Sequence, residues 1–361
     1  MKIAVDGYDL VRQSTGVGRF LKNLLPELLK EDPGINYHLF LREDNHALDG
    51  CANLEKTIIP EKGGYALWQN GPLRKKLVAG GYDLLFAPNA QLPFFYRGRS
   101  ILVIHDVSWK AIPEDFSWKE RTAKDVKCRW SLKRAAKIIT DAEFTKTELI
   151  GHYRVKAEKI QAVPLAIEPC FRRQTQENIA AFKEKYGLRG KKIVGFLGSV
   201  FGRRHVLELI RAFDQLRKQH ELALVIVGKN SAGGALAEPL RQEGVVWIDW
   251  LPEEQLNSFY SALDLFVYIS DYEGFGFPPL EALACGTTSL LLPTSSLREM
   301  YHDLALFVAV PEPDAVAQAI RHYLENQDAD KRRILAAWEK RKDYFSWQRV
   351  AAAYRQILLP R

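Results

Sequence analysis

The segment Tyr272-Glu-Gly-Phe-Gly-Phe-Pro-Pro-Leu-Glu-Ala-Leu-Ala-Cys-Gly286 concentrates the chemistry of this 361-residue chain. Two carboxylates, Glu273 and Glu281, frame a turn in which Gly274, Phe275, Gly276 and Phe277 alternate glycine with aromatic. Gly274 and Gly276 let the backbone approach a ligand closely. Pro278 suits a first helical turn. The free N–H groups of a helix starting there can bind oxyanions such as phosphate, or sugar hydroxyls. Glu281 falls inside that helix, where it could accept hydrogen bonds from a diol such as a ribose. The plain alternative is a tight strand-to-helix turn with Glu281 on the surface. Two glutamates framing a Gly-aromatic-Gly-aromatic-Pro turn favour the functional reading.

Such a turn needs a strand before it and a helix after it. Short apolar runs alternate with helical patterns along the whole chain. A first series of strands is expected at Lys2–Asp6, Tyr37–Leu41, Lys56–Ile59, Leu84–Ala87, Ser100–Ile104, Lys137–Thr140 and Ile160–Val163. Helices at Gly18–Leu29, Ala66–Ala79 and Trp118–Ala136 lie between them. After a connector containing Pro164 and Pro169, the rhythm restarts. Strands are expected at Lys192–Leu197, Ala223–Val227, Val245–Ile248, Leu265–Tyr268, Thr288–Leu291 and Ala305–Val308. Helices follow at Arg204–Lys218, Glu253–Ala262, Pro278–Ala284 and Pro313–Glu325, then Asp328–Asp343 and Trp347–Leu359. This is an α/β chain of two doubly wound, Rossmann-like domains with parallel sheets. We place them at 1–168 and 169–344, with 345–361 returning to the first. Ligands of such sheets bind beyond the carboxyl ends of the strands, and a cleft between facing domains is the expected site.

The segment EGFGFPPLEALACG, with seven residues between Glu273 and Glu281, resembles the signature of retaining GT-B glycosyltransferases of family four. The resemblance extends over nearly the whole chain. Asn257 to Tyr268 resembles the helix and strand before the signature. Leu197-Gly-Ser-Val-Phe-Gly-Arg-Arg-His205 resembles a glycine-then-basic phosphate loop, and Val103-Ile-His-Asp-Val-Ser108 a His-Asp motif of the first domain. Gly16-Val-Gly-Arg-Phe20 resembles the first loop. Phe345-Ser-Trp347 resembles the start of a last helix that crosses back onto the first domain.

The resemblance implies transfer of a hexosyl group from a nucleotide sugar, such as a GDP- or UDP-hexose, to a sugar acceptor. It implies an α-linked product and neither a metal nor another cofactor. Arg203 and Arg204, with Gly198 before them, would neutralise the departing diphosphate. The family usually has Arg-Lys here, so Arg204 keeps the charge and changes the geometry. His205 replaces a commoner Asn or Gly. Cations at a helix start oppose its dipole unless an anion sits between. Glu273 would orient the sugar hydroxyls. His105 would meet the donor sugar, its geometry set by Asp106. Gly16 and Gly18 would lie under the phosphates or near the acceptor; they fall short of a full GxGxxG, which disfavours a dinucleotide cofactor. Lys229 would serve phosphate or base. Trp250 and Leu251 correspond to a stretch beside the base, where Trp250 packs on the base face or seals the core.

Composition bounds the remaining readings. The chain is 47% hydrophobic and 26% charged, as in ordinary globular proteins. The longest apolar runs are far short of a membrane span, and Asp6 interrupts the first one, against a signal peptide. Cys51, Cys128, Cys170 and Cys285 are scattered without metal-site spacing, which suggests reduced thiols in a cytosol. The net charge is +7 and unevenly placed: residues 119–137 hold eight cations against Glu120 and Asp125. A solvated helix with Ala123, Val126 and Trp130 as its core stripe is one reading. An anionic membrane surface at the inner face of the cell is another. No nucleic-acid signature accompanies the charge. With the aromatic-basic segment Pro93 to Arg99, the helix points to a lipid-linked acceptor; otherwise Phe94 and Phe95 are core residues of a loop. Two rivals are a nucleotide-sugar epimerase on the same fold and a non-catalytic nucleotide-sugar-binding protein.

Overall fold

The computed structural model describes residues 1–11, 16–218, 221–231, 236 and 238–359. The chain forms two units: Met1–Ala166 together with the final segment from Tyr344, and Ile167–Asp343. The first holds β1 (Lys2–Asp6), β2 (Asn36–Leu41), β3 (Leu54–Ile58), β4 (Leu84–Ala87), β5 (Ser100–Ile104), β6 (Lys137–Thr140) and β7 (Ile160–Ala162). They pair in parallel in the order β3-β2-β1-β4-β5-β6-β7. The second holds β8 (Lys192–Leu197), β9 (Leu222–Val227), β10 (Val245–Ile248), β11 (Leu265–Tyr268), β12 (Thr288–Leu291) and β13 (Leu306–Phe307). Their parallel order is β10-β9-β8-β11-β12-β13.

Every residue of β4, β5, β9, β11 and β12 is buried. Helices cover such strands on both faces, so the strands read as continuous apolar runs, the pattern that made them legible. In each sheet the first strand pairs with both the second and the fourth. The winding direction therefore reverses between β1 and β4, and between β8 and β11. The reversal opens a crevice at the carboxyl ends of those strands.

The final helix, Trp347–Leu358, completes the first unit. It is amphipathic and buries Trp347, Val350, Tyr354, Ile357 and Leu358. The rings of Trp347 and Tyr354 lie 6.2 and 5.7 Å from that of Phe20, and Tyr354 meets Phe86 at 5.9 Å. Side chains of this size stabilise by roughly 1.5–3 kcal/mol each when fully buried. Arg355 Nε adds hydrogen bonds to both carboxylate oxygens of Asp32, at 2.7 and 2.8 Å.

Three expectations need correction, and a fourth holds. The helical pattern 66–79 contains a π-helical stretch, Gln69–Leu73, around Pro72. Proline lacks the N–H and its ring crowds the preceding turn, which widens the winding. The pattern 204–218 is broken: a 3₁₀ turn, Gly202–Arg204, precedes a helix from Val206 to Leu216, with His205 left-handed between them. The helices expected at 313–325 and 328–343 are found within Pro313–Arg341, separated by a kink at the non-helical Asn326. In the helix Trp118–Arg134 the buried residues are Cys128, Ser131 and Leu132, whereas Ala123 and Val126 face solvent and Trp130 is half-buried. The bulkier apolar stripe is not the one facing the core.

Candidate functional site

β8 ends at Leu197 and β11 at Tyr268, either side of the reversal in the second sheet. The loops that follow them bring Arg204 and Glu273 together. Arg204 Nε donates to Glu273 Oε1 at 3.0 Å, and Arg204 Nη1 to the Ser199 carbonyl at 3.0 Å. The side chains are only 13% and 12% exposed. Tyr268 Oη and Ser270 Oγ also donate to Glu273 Oε1, at 2.8 and 3.0 Å. The Tyr268 pKa is pushed well above its ordinary value by burial, so its hydroxyl stays a donor. The Glu273 backbone is fixed as well: its N–H donates to Ser295 Oγ, and its carbonyl accepts from Ser296 Oγ. The anion that balances Arg204 at this turn is thus Glu273 itself.

Two glycines make room for the pair. Gly198 has φ 144°, and a Cβ there would lie 2.6 Å from Arg204 Nη1. Gly228 has φ 141°, and its Cβ would lie 2.1 Å from the Gly198 carbonyl oxygen. The ends of β8 and β9 thus approach in a way that only glycine permits. His205, at φ 46°, occupies the left-handed conformation that Asn and Gly adopt more readily than other residues. Its Nε2 lies 2.8 Å from Asp271 Oδ2. Arg203 stacks its guanidinium on Phe201 at 5.6 Å, and its carbonyl accepts from the Asp271 N–H.

The remaining candidates of this unit separate. Gly276 is left-handed at the start of the helix Phe277–Ala284, with its carbonyl accepting from Tyr301 Oη. Gly274 is half-buried and Phe275 is buried, its ring 5.2 Å from that of Phe277. Glu281 is not the surface residue of the plain reading: it is 1% exposed and accepts from Tyr260 Oη at 2.7 Å. In this structure it is packed in the core rather than open to a diol. Lys229 is exposed. Leu251 is buried, but Trp250 is 66% exposed, so it does not seal the core.

In the first unit, His105 follows β5 and Asp141 follows β6, side by side. His105 Nδ1 lies 2.7 Å from Asp141 Oδ2, and Nε2 lies 3.0 Å from the Pro88 carbonyl. With an acceptor beside each nitrogen, the ring can donate from both when it is protonated. Burial alone would lower the His105 pKa; Asp141 outweighs it, and the net shift is upward. Asp106, expected to set the geometry of His105, instead accepts from the Ser108 N–H. Asp6, at the end of β1, is buried and accepts from Tyr65 Oη at 2.8 Å and from the Gln69 amide at 3.2 Å. Burial pushes its pKa up to about 6. Gly16 caps the helix Val17–Glu31 with φ 49°. Gly18 lies inside that helix and is buried, not in a phosphate loop. Residues 12–15 of that loop lie outside the described residues.

Sequence reading missed Tyr268, Ser270, Ser295, Asp141 and Gln69. Tyr268 and Asp141 sit at or just past a strand's carboxyl end, so the rule that selected His105 would have found them. Ser295 and Gln69 reach their partners only through tertiary folding.

Comparison with known proteins decides the identity. The family model "Glycosyl transferases group 1" matches residues 178–340, and "Glycosyltransferase Family 4" matches residues 14–170. The chain belongs to the glycosyltransferases. The glycosyltransferase is 27% identical over 271 residues to O-antigen chain mannosyltransferase B of Escherichia coli, covering 72% of this chain and 70% of that one. Its fold matches a crystal structure of Anabaena HepE in complex with UDP-glucose with a TM-score of 0.78, at 17% identity and 99% coverage of both chains. It also matches WaaG, described as a glycosyltransferase involved in lipopolysaccharide biosynthesis. The TM-score is 0.74, at 16% identity over 99% of this chain and all of that one. The glycosyltransferase therefore has the GT-B architecture of two parallel-sheet α/β domains.

Proposed function

We propose that this glycosyltransferase moves a hexosyl group from a GDP- or UDP-hexose to a saccharide, lipid-linked at the inner face of a cell membrane, with retention and formation of an α-bond. The observation that carries the reading is the Arg204–Glu273 pair at the reversal point of the second sheet. A diphosphate arriving there carries more charge than one carboxylate and competes for Arg204. As it departs, Arg203 and Arg204 neutralise the charge that builds on it, without a metal. With Arg204 drawn to the diphosphate, Glu273, still held by Tyr268 and Ser270, is left to accept from the hexose hydroxyls and to favour the positive charge developing at C1. Front-face attack lets the departing phosphate take the acceptor's proton, which gives retention without a carboxylate nucleophile. The named mannosyltransferase relative and the fold match to a chain solved with UDP-glucose support the donor class.

Glu273→Gln keeps the size of the side chain and removes its charge. Transfer to a saccharide acceptor is expected to fall by at least about a hundredfold, in line with loss of a preorganised electrostatic group. The thermal shift produced by nucleotide sugar is expected to persist. Undiminished turnover would overturn the assignment. NMR of the anomeric proton in the product reads the stereochemistry directly. An epimerase would instead convert nucleotide sugar with no acceptor present.

A further inference from the structure

We propose that the first unit binds an internal water beneath His105, held by Asp141, Tyr354 and Trp347, and that this site makes the last helix a positioning element for His105. The starting observation is a set of buried polar atoms that the fold does not pair. Asp141 is 2% exposed; its Oδ2 meets His105, and its Oδ1 has no hydrogen-bond partner among the described residues. Tyr354 is wholly buried, and its Oη has none either. The same holds for Nε1 of Trp347, which is 3% exposed. A buried polar group without a partner is costly, and native folds keep few of them. Three such atoms in one region point to a shared ligand.

Phe20 is the hub of that region. The ring of His105 stands edge-on to it at 5.2 Å, that of Tyr354 lies at 5.7 Å and that of Trp347 at 6.2 Å. Trp347 and Tyr354 are two turns apart on the buried face of the final helix. Asp141 follows β6, beside His105. Burial first, and then the charge of Asp141, hold the Tyr354 pKa well above its ordinary value, so the hydroxyl keeps its proton. Tyr354 Oη and Asp141 Oδ1 are thus a donor and an acceptor that lie within each other's field and do not bond. A mediating group spans such a pair.

The three atoms select the ligand. An ionised Asp141 Oδ1 only accepts, Trp347 Nε1 only donates, and Tyr354 Oη can donate. A small anion would be repelled by the carboxylate, and a cation would meet the indole N–H. Water donates to the first atom and accepts from the other two, and three partners is the usual number for a buried water. The bridge matters through its other end. Asp141 orients His105 at Nδ1, while the Pro88 carbonyl holds Nε2. Tying Oδ1 to the last helix fixes the carboxylate and, with it, the ring. Trp347, in the Phe345-Ser-Trp347 stretch, thereby gains a polar task besides packing. The consequence for transfer rests on the reading of His105 as a contact of the donor sugar; the site itself rests on the buried atoms alone.

The test is Tyr354→Phe in the full-length protein, which removes one oxygen and leaves the ring. Removing a hydroxyl that has no partner would raise the melting temperature. Removing one that holds a water is expected to lower it, by about 1–3 °C. Proton–nitrogen NMR of the histidine rings supplies a signature that packing alone does not move. The His105 Nδ1–H signal, assigned by its absence from His105→Gln, is expected to shift in Tyr354→Phe and to be lost in Asp141→Asn. Both readouts are taken without substrate, so they stand apart from the transfer reaction. In Tyr354→Phe, kcat is expected to fall about three- to tenfold while the nucleotide-sugar thermal shift persists. A crystal structure of the free enzyme is expected to show the water between Asp141 Oδ1 and Tyr354 Oη. A direct bond between those atoms, a melting temperature that rises or stays, an unmoved His105 signal or an unchanged kcat would each overturn the proposal.

Discussion

Glu273 and Arg204 were visible as residue types, but not as partners. Nothing in the spacing of positions 204 and 273 states that they touch; the winding order of the second sheet does. Gly228 shows the same limit. It follows a strand and looks like an ordinary turn glycine, yet its missing side chain is what lets two strand ends meet. Gly228→Ala forces a methyl group into the Gly198 carbonyl and strains a positive φ. A loss of about 1–3 kcal/mol in chemical denaturation is expected, with weakened nucleotide-sugar binding. Glu281→Ala leaves Tyr260 Oη buried without its acceptor, an expected cost of about 1–3 kcal/mol. Glu281→Gln, which keeps an acceptor, is expected to recover much of it. Asp6 yields a pH prediction. Its folded pKa, about 6, lies above the ordinary 3.8, so the folded state holds the proton more tightly. The stability this contributes is present in full below pH about 4 and is lost as pH rises through about 6. Asp6→Asn is expected to remove a decline of order 3 kcal/mol between those limits. Denaturation of both proteins across that range measures the difference; parallel curves would refute it.

Strands were the most legible elements, because burial on both faces leaves an apolar run with sharp ends. β1, β4, β5, β6, β8, β11 and β12 lie where those runs place them. Helices were harder. Periodicity finds an apolar stripe, but it does not say whether core or solvent receives it, and the helix Trp118–Arg134 has two. Its start was readable in principle: Ser117 and Glu120 stand at capping-box spacing, and each bonds the other's backbone N–H. Ser117→Ala is expected to cost about 1 kcal/mol, and to raise amide exchange in the first turn more than elsewhere. Equal exchange along the helix would show that tertiary packing, rather than the cap, holds that end.

The whole molecule repeats one plan twice, a parallel sheet that reverses beside its first strand. The repetition was legible because Pro164 and Pro169 interrupt the apolar rhythm before it restarts. Nucleotide sugar is expected to slow amide exchange chiefly at the ends of β8 and β11 and in the turn after Tyr272, which hydrogen-exchange mass spectrometry would resolve. Protection confined to the strand ends of the first unit would place the donor elsewhere. The first unit is also discontinuous, because Trp347 and Tyr354 pack on Phe20. During synthesis a contiguous domain can close as soon as it clears the ribosome. Here the half that emerges first must wait, its aromatic floor uncovered, until the helix Trp347–Leu358 has been made. The later-made half holds all of its own strands and can close ahead of it.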